Sequence, residues 1–211
     1  MSRSEVGRIE AIFRYPVKSM GGERLETATM GWHGIEGDRR FAFRRLEDSG
    51  GFPWLSAGKL PDLLLFAPAR HANAPDALPT HVRSPDGAEL PILGEELAAE
   101  VGRRHGASVQ MMRLDHGIFD EAAISVISLV TIDELSRLAD VAPDVRRFRP
   151  NILVRPVASE PFHEDEWVGG VLSFGDGDDA PAVAVTLRDV RCSMISLDPD
   201  SARPSPEVLK A

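Results

Sequence analysis

Short apolar runs, separated by turn formers, set the pattern of this chain. Its 211 residues carry 18 glycines and 16 prolines, most of them between those runs. Such punctuation predicts many short strands rather than a helical bundle. Strands are expected over Val6–Tyr15, Phe41–Leu46, Leu63–Ala67, His81–Ser84 and Ser108–Leu114, then over Ala123–Ile127, Asn151–Arg155, Val171–Phe174 and Val183–Arg188. In the first, Ile9, Ala11 and Phe13 fall on one face. In the last, Val183, Val185 and Leu187 alternate with small or polar residues, as a half-buried strand requires.

Helical spacing occurs in two places. Glu95–His105 places Leu97, Ala98 and Val101 together, with Gly106 as its stop. A second helix is expected from Thr131. Thr131 and Glu134 have capping-box spacing, and Ile132, Leu135, Leu138 and Ala139 form its apolar stripe. Ala67–Pro79 reads as the most linker-like stretch and Asp115–Glu121 as another candidate boundary. No repeat appears at a solenoid period. Gly175–Pro181 is expected to be a solvated loop between two strands.

Composition narrows the class. The net charge of −9 argues against general nucleic-acid binding, which leaves a basic footprint. The start, Met1-Ser2-Arg3-Ser4-Glu5, has no apolar signal core, and no run approaches the ~20 apolar residues of a membrane span. The expectation is a soluble cytoplasmic protein with no membrane partner. A single cysteine rules out an intramolecular disulfide, a Cys₄ zinc site and a self-contained iron–sulfur cluster. That thiol is either a buried apolar residue or a reactive or ligating one.

Common catalytic signatures are absent: there is no G-x-S-x-G, no P-loop and no H-E-x-x-H. Gly175–Ala180 fits the letters G-x-G-x-x-A, but its aspartates would repel a pyrophosphate. His33, His71, His81, His105, His116 and His163 are scattered. His163-Glu164-Asp165-Glu166 has metal-ligand residue types, yet it reads better as a solvated acidic loop.

Three clusters carry more. Tyr15-Pro16-Val17-Lys18-Ser19-Met20-Gly21-Gly22 ends a strand with a cation and a short donor before two glycines. It suits an anion site, or an ordinary turn with an exposed lysine. Arg146-Arg147-Phe148-Arg149-Pro150-Asn151 is either an anion site or a surface patch paired with Glu160–Glu166. Pro150 makes a strand begin there, which puts Arg149 and Asn151 at its mouth. Asp189-Val190-Arg191-Cys192-Ser193-Met194 sets the only thiol beside an arginine, and a neighbouring cation favours the thiolate.

In this order the clusters resemble the MOSC family, the C-terminal domain of molybdenum cofactor sulfurase and its stand-alone relatives. Tyr-Pro-Val-Lys-Ser followed by Gly37-Asp38-Arg39 looks like the N-terminal β-barrel domain of that group. Phe148-Arg149-Pro150-Asn151-Ile152, Glu164-Asp165-Glu166-Trp167, Arg191-Cys192 and Asp198-Pro199 look like the MOSC domain itself. The resemblance covers about Ile9 to Lys210. It implies a mainly β (α+β) fold with a few short helices: an N-terminal β-barrel domain over residues 1–118 and a MOSC-type β-barrel over 119–211. Relatives continue beyond the position of Lys210, so the second barrel is expected to lack its closing strand.

The functional relatives it resembles are the mitochondrial amidoxime-reducing component and its bacterial counterparts. The resemblance implies a molybdenum cofactor between the two domains. Cys192 would be the metal ligand and catalytic thiolate. Lys18, Ser19, Arg39, Ser128, Arg149, Asn151 and Arg191 would contact the cofactor. The implied reaction is reductive removal of oxygen from N-hydroxylated small molecules (amidoximes, hydroxylamines, N-hydroxylated bases), with electrons from a separate ferredoxin- or cytochrome-type partner and its reductase. The alternative is a non-catalytic carrier of the cofactor, or of sulfur on Cys192. Pyridoxal phosphate is not expected, because no segment resembles a Schiff-base site.

Overall fold

The computed structural model describes residues 3–70 and 78–211. Most of the expected linker, and His71 with it, lies outside those residues, as do Met1 and Ser2. The described residues are mostly strands with three α-helices. In chain order the strands are β1 (Gly7–Arg14), β2 (Glu23–Leu25), β3 (Met30–Gly31), β4 (Gly34–Ile35), β5 (Phe41–Arg45), β6 (Ala67–Ala69), β7 (His81–Arg83) and β8 (Glu89–Pro91). They continue as β9 (Val109–Arg113), β10 (Val126–Ser128), β11 (Ile152–Pro156), β12 (Val171–Ser173) and β13 (Ala182–Ala184). The helices are α1 (Glu95–His105), α2 (Leu129–Ala139) and α3 (Glu207–Lys210).

The sheets are small, and among the described residues none closes into a barrel. The largest has the order β10-β11-β1-β2. β1 pairs antiparallel with β11 and β2, while β10 and β11 run parallel. Residues near the start of the chain are therefore locked to residues about two-thirds of the way along it. β5 pairs with β9, and β6-β7-β8 form a meander. The largest core lies among these strands and α1, with Val17, Met20, Phe43, Leu63, Phe66, Leu97 and Val101 at its centre. A second apolar cluster packs Ile132 of α2 on Ala11 and Leu153 of β1 and β11.

Several expected elements hold and others shift. α1 has the expected bounds, and Gly106 caps it in the left-handed region with φ +80°. Its first turn carries Glu95 and Glu96 and its last Arg103, Arg104 and His105, each sign matching the helix dipole. α2 begins earlier than expected: its cap is Ser128, whose hydroxyl accepts from Thr131 N at 3.1 Å. Thr131 sits inside the first turn, and Glu134 is paired outward with Arg137 rather than back to a cap.

Leu63–Ala67 is not one strand. Pro61 opens a 3₁₀ turn over Pro61–Leu65, and β6 follows at Ala67. Leu63 and Phe66 are both fully buried, so the apolar period here is three rather than two. In β1 the pairing slips between Ile9 and Ala11, so Ile9 is 45% exposed while Ala11 is buried. The last strand is shorter and earlier than expected. β13 pairs with β12, the bonding ends at Val185 opposite Gly170, and Leu187 is exposed. Gly175–Pro181 is the exposed connection between these two strands, as expected. The acidic run is a 3₁₀ turn, His163–Trp167, anchored by the buried Trp167 rather than a free loop. No helix among the described residues is long and apolar enough to cross a membrane.

Candidate functional site

β1 delivers the chain into a buried turn. Every residue from Arg14 to Met20 is buried, Lys18 and Ser19 included. Phe41 N donates to Pro16 O at 3.0 Å, and Lys18 N donates to Phe41 O at 2.8 Å. These bonds lay the turn along β5 and send Val17 into the core. The exposed-lysine reading of this segment is therefore wrong: Lys18 is 6% exposed. The glycine pair serves packing, since a Cβ on Gly22 would stand 2.4 Å from the Tyr15 ring.

Asp38 ties three chain segments together from a fully buried position. Its Oδ1 accepts from Tyr15 N at 2.6 Å, and its Oδ2 accepts from Asn151 Nδ2 at 3.1 Å and from Arg39 Nη1. Arg39 N donates to Tyr15 O at 2.8 Å. Asn151 Oδ1 accepts from Ser125 N at 3.2 Å. The end of β1, the Gly37–Arg39 turn and the entry to β11 thus meet at one carboxylate. A buried charge of this kind persists only when it is paired and hydrogen-bonded.

Cations gather around Tyr15. The Arg149 guanidinium lies 4.2 Å from the ring centre and that of Arg39 lies 5.2 Å from it. Arg149 Nη1 donates to Met20 O at 2.6 Å, and Arg39 Nη2 donates to Arg149 O at 3.3 Å. Burial lowers Arg149 from its usual value to about 10, and the nearby Arg39 adds to that. Burial also lowers Lys18, although Asp120 pulls it the other way. Desolvation thus disfavours the charge of both cations, and Asp120 offsets it at Lys18. The Tyr15 phenol is pushed up to about 12 by burial, and among the described residues its hydroxyl has no hydrogen-bond partner.

Backbone conformation marks the same residues. Ser19, Arg39 and Arg149 take φ of +65°, +49° and +51°. Left-handed backbone costs a non-glycine residue about 1–2 kcal/mol. Such outliers concentrate where geometry is held for function.

Residues 6–127 match the MOSC N-terminal beta barrel domain, and residues 102–211 match the MOSC domain. The chain belongs to the MOSC family. No curated protein matches it. MOSC domains are associated with molybdenum-cofactor-related function.

The MOSC residues expected from sequence divide into two groups. Lys18, Ser19, Arg39, Arg149 and Asn151 converge around Tyr15 and Asp38. Cys192 is exposed at the entry to a 3₁₀ turn, and a thiolate there acts on the charge of Arg149. It follows irregular chain rather than directly following a strand. Arg191 is exposed, and among the described residues no hydrogen bond joins its side chain to the cluster. The Ser128 hydroxyl is occupied elsewhere: it caps α2 and donates to Glu164 Oε2 at 3.1 Å. The Arg146–Arg149 run does not pair with Glu160–Glu166. Arg146 binds Asp144 and Asp200, Arg147 binds Asp198, and Arg149 turns inward.

Sequence reasoning did not single out Tyr15, Asp38 or Asp120 as members of this cluster. Tyr15 and Asp38 stand inside the quoted motifs, so their positions carried a signal. Nothing local distinguishes Asp120, whose partner Lys18 is far away in the chain.

The donor set fits a molybdenum cofactor on two counts. Its anionic group would meet the buried cations Lys18 and Arg149. Its dithiolene sulfurs would supply the soft donors that a single protein thiolate leaves open.

Proposed function

We propose that this MOSC protein holds a molybdenum cofactor at the Tyr15 cluster and reduces N-hydroxylated small molecules. One observation carries the reading: buried Lys18 and Arg149 and half-buried Arg39 gather at Tyr15, and a charge on the exposed Cys192 bears on Arg149. Lys18, Arg39 and Arg149 would bind the anionic group of the cofactor. Ser19 and Asn151 would add polar contacts, and Cys192 would ligate the metal. When bound, the cofactor supplies two-electron chemistry, converting an N–OH group to N–H and water with two protons.

The protein's part is to bind and orient. Asp38 fixes Arg39 and Asn151, and both guanidinium groups lie over the Tyr15 ring. The exposed setting of Cys192 leaves its face of the site open to a small molecule. These 211 residues carry one cysteine and so hold no iron–sulfur cluster of their own, and electrons would come from a donor centre outside them.

The test is reduction of benzamidoxime to benzamidine by cofactor-loaded protein and an artificial electron donor. Turnover in wild type and none in Cys192→Ala supports the reading. A metal-loaded protein without turnover points instead to a cofactor carrier.

A further inference from the structure

Lys18 is buried, yet its carboxylate partner comes from the surface. Lys18 Nζ donates to Asp120 Oδ1 at 2.8 Å, with side-chain exposures of 6% and 67%. Asp120 belongs to a stretch pinned at both ends. Ile118 N donates to Arg39 O at 3.0 Å, and the Ile118 side chain is buried. Ser125 N donates to Asn151 Oδ1, and Ser125 O accepts from Asn151 N at 2.9 Å. Between these anchors, residues 119–124 form no helix or strand, and among the described residues no backbone hydrogen bond holds them. The Phe119 ring lies 5.9 Å from the Arg39 guanidinium. Residues 118–125 therefore form a strap that crosses the cations and touches two of them.

A buried ammonium needs a counter-charge. Asp120 supplies it through a charge-assisted hydrogen bond, with its oxygen where an oxyanion of a ligand would stand. We propose that the strap is a built-in competitor: Asp120 occupies the anion position at Lys18, and an incoming phosphate group displaces it and lifts residues 119–122, while Ile124 stays packed toward Ile152, Val154 and Trp167. The inference rests on Lys18 being an anion-binding residue, as proposed above. Two features make release inexpensive. Asp120 is already largely in water, so it regains hydration readily. Among the described residues the strap also has no backbone hydrogen bonds to break between its anchors. Asp189 lies close enough to feel the charges of Glu121 and Asp120.

The test is calorimetric titration of the full chain with inorganic phosphate, in wild type, Asp120→Asn, Glu121→Gln and Lys18→Ala. Removing the competitor in Asp120→Asn tightens phosphate about three- to fivefold, the range an ion pair with one exposed partner allows. Glu121→Gln makes the same charge change away from Lys18 and alters affinity less than about twofold. Glu-C cleavage within 119–122 quickens when phosphate binds the wild type. Equal tightening in both variants, no change in Asp120→Asn, or unchanged cleavage overturns the strap while leaving the anion site intact. Phosphate binding that is absent, or indifferent to Lys18→Ala, overturns the anion-site reading and the strap with it.

Discussion

The Arg149 guanidinium lies over the Tyr15 ring at 4.2 Å from its centre, closer than Arg39 at 5.2 Å. One aromatic side chain therefore lies against two cations that repel each other. A desolvated cation–π contact contributes about 2 kcal/mol. The geometry explains why a tyrosine ends β1 although its hydroxyl finds no partner among the described residues.

Tyr15 is the only tyrosine, so ultraviolet absorbance on alkaline titration reads it alone. Burial holds the phenol neutral up to about 12, against 10 for a free tyrosine. Between those values the unfolded chain has lost a proton that the folded chain keeps, so this group lowers stability as pH rises. Arg149 acts oppositely. It is lowered from 12.5 to about 10, so over that window the unfolded chain keeps the extra proton and stability rises with pH. The two contributions offset, and absorbance is the proper readout. Phenolate should appear in the native protein only near pH 12, and after denaturation near 10.

Tyr15→Phe removes an unpaired buried hydroxyl and keeps the ring. Chemical denaturation should show stability unchanged or raised by up to about 1 kcal/mol. Tyr15→Ala loses the ring and should cost about 3–5 kcal/mol.

Asp38→Ala leaves Tyr15 N, Asn151 Nδ2 and Arg39 without their shared acceptor in a fully buried position. Breaking a buried charge network from one side costs about 3–5 kcal/mol. The expected result is a large drop in the denaturation midpoint, together with loss of anion binding.

Legibility in the sequence follows how local each signal is. α1 was readable to the residue because its stripe, its charges and Gly106 lie within one segment. Lys18, Ser19, Arg39, Arg149 and Asn151 each stand in a short motif that singles them out as candidates. That they surround Tyr15 depends on β1 pairing with β11, a contact between distant segments. Asp38 looks like an ordinary turn residue until that pairing buries it. The α2 cap was misplaced because Ser128 and Thr131 are both cap-competent. Glu164, from a remote turn, binds Ser128 N and Oγ and favours the earlier start.

Ser128→Ala should accordingly cost about 1–2 kcal/mol, since it removes the cap hydroxyl and a partner of Glu164. Glu134→Ala should leave stability unchanged, because that side chain pairs outward with Arg137 rather than closing a capping box. Thermal denaturation of the two variants checks both.

Metal and pterin content of the purified protein, made in a host that synthesises molybdenum cofactor, tests the central claim most directly. The account predicts stoichiometric molybdenum and pterin in the wild type, with molybdenum lost in Cys192→Ala and both lost when Lys18 and Arg149 are replaced together. Wild-type protein that carries neither under those conditions would contradict it.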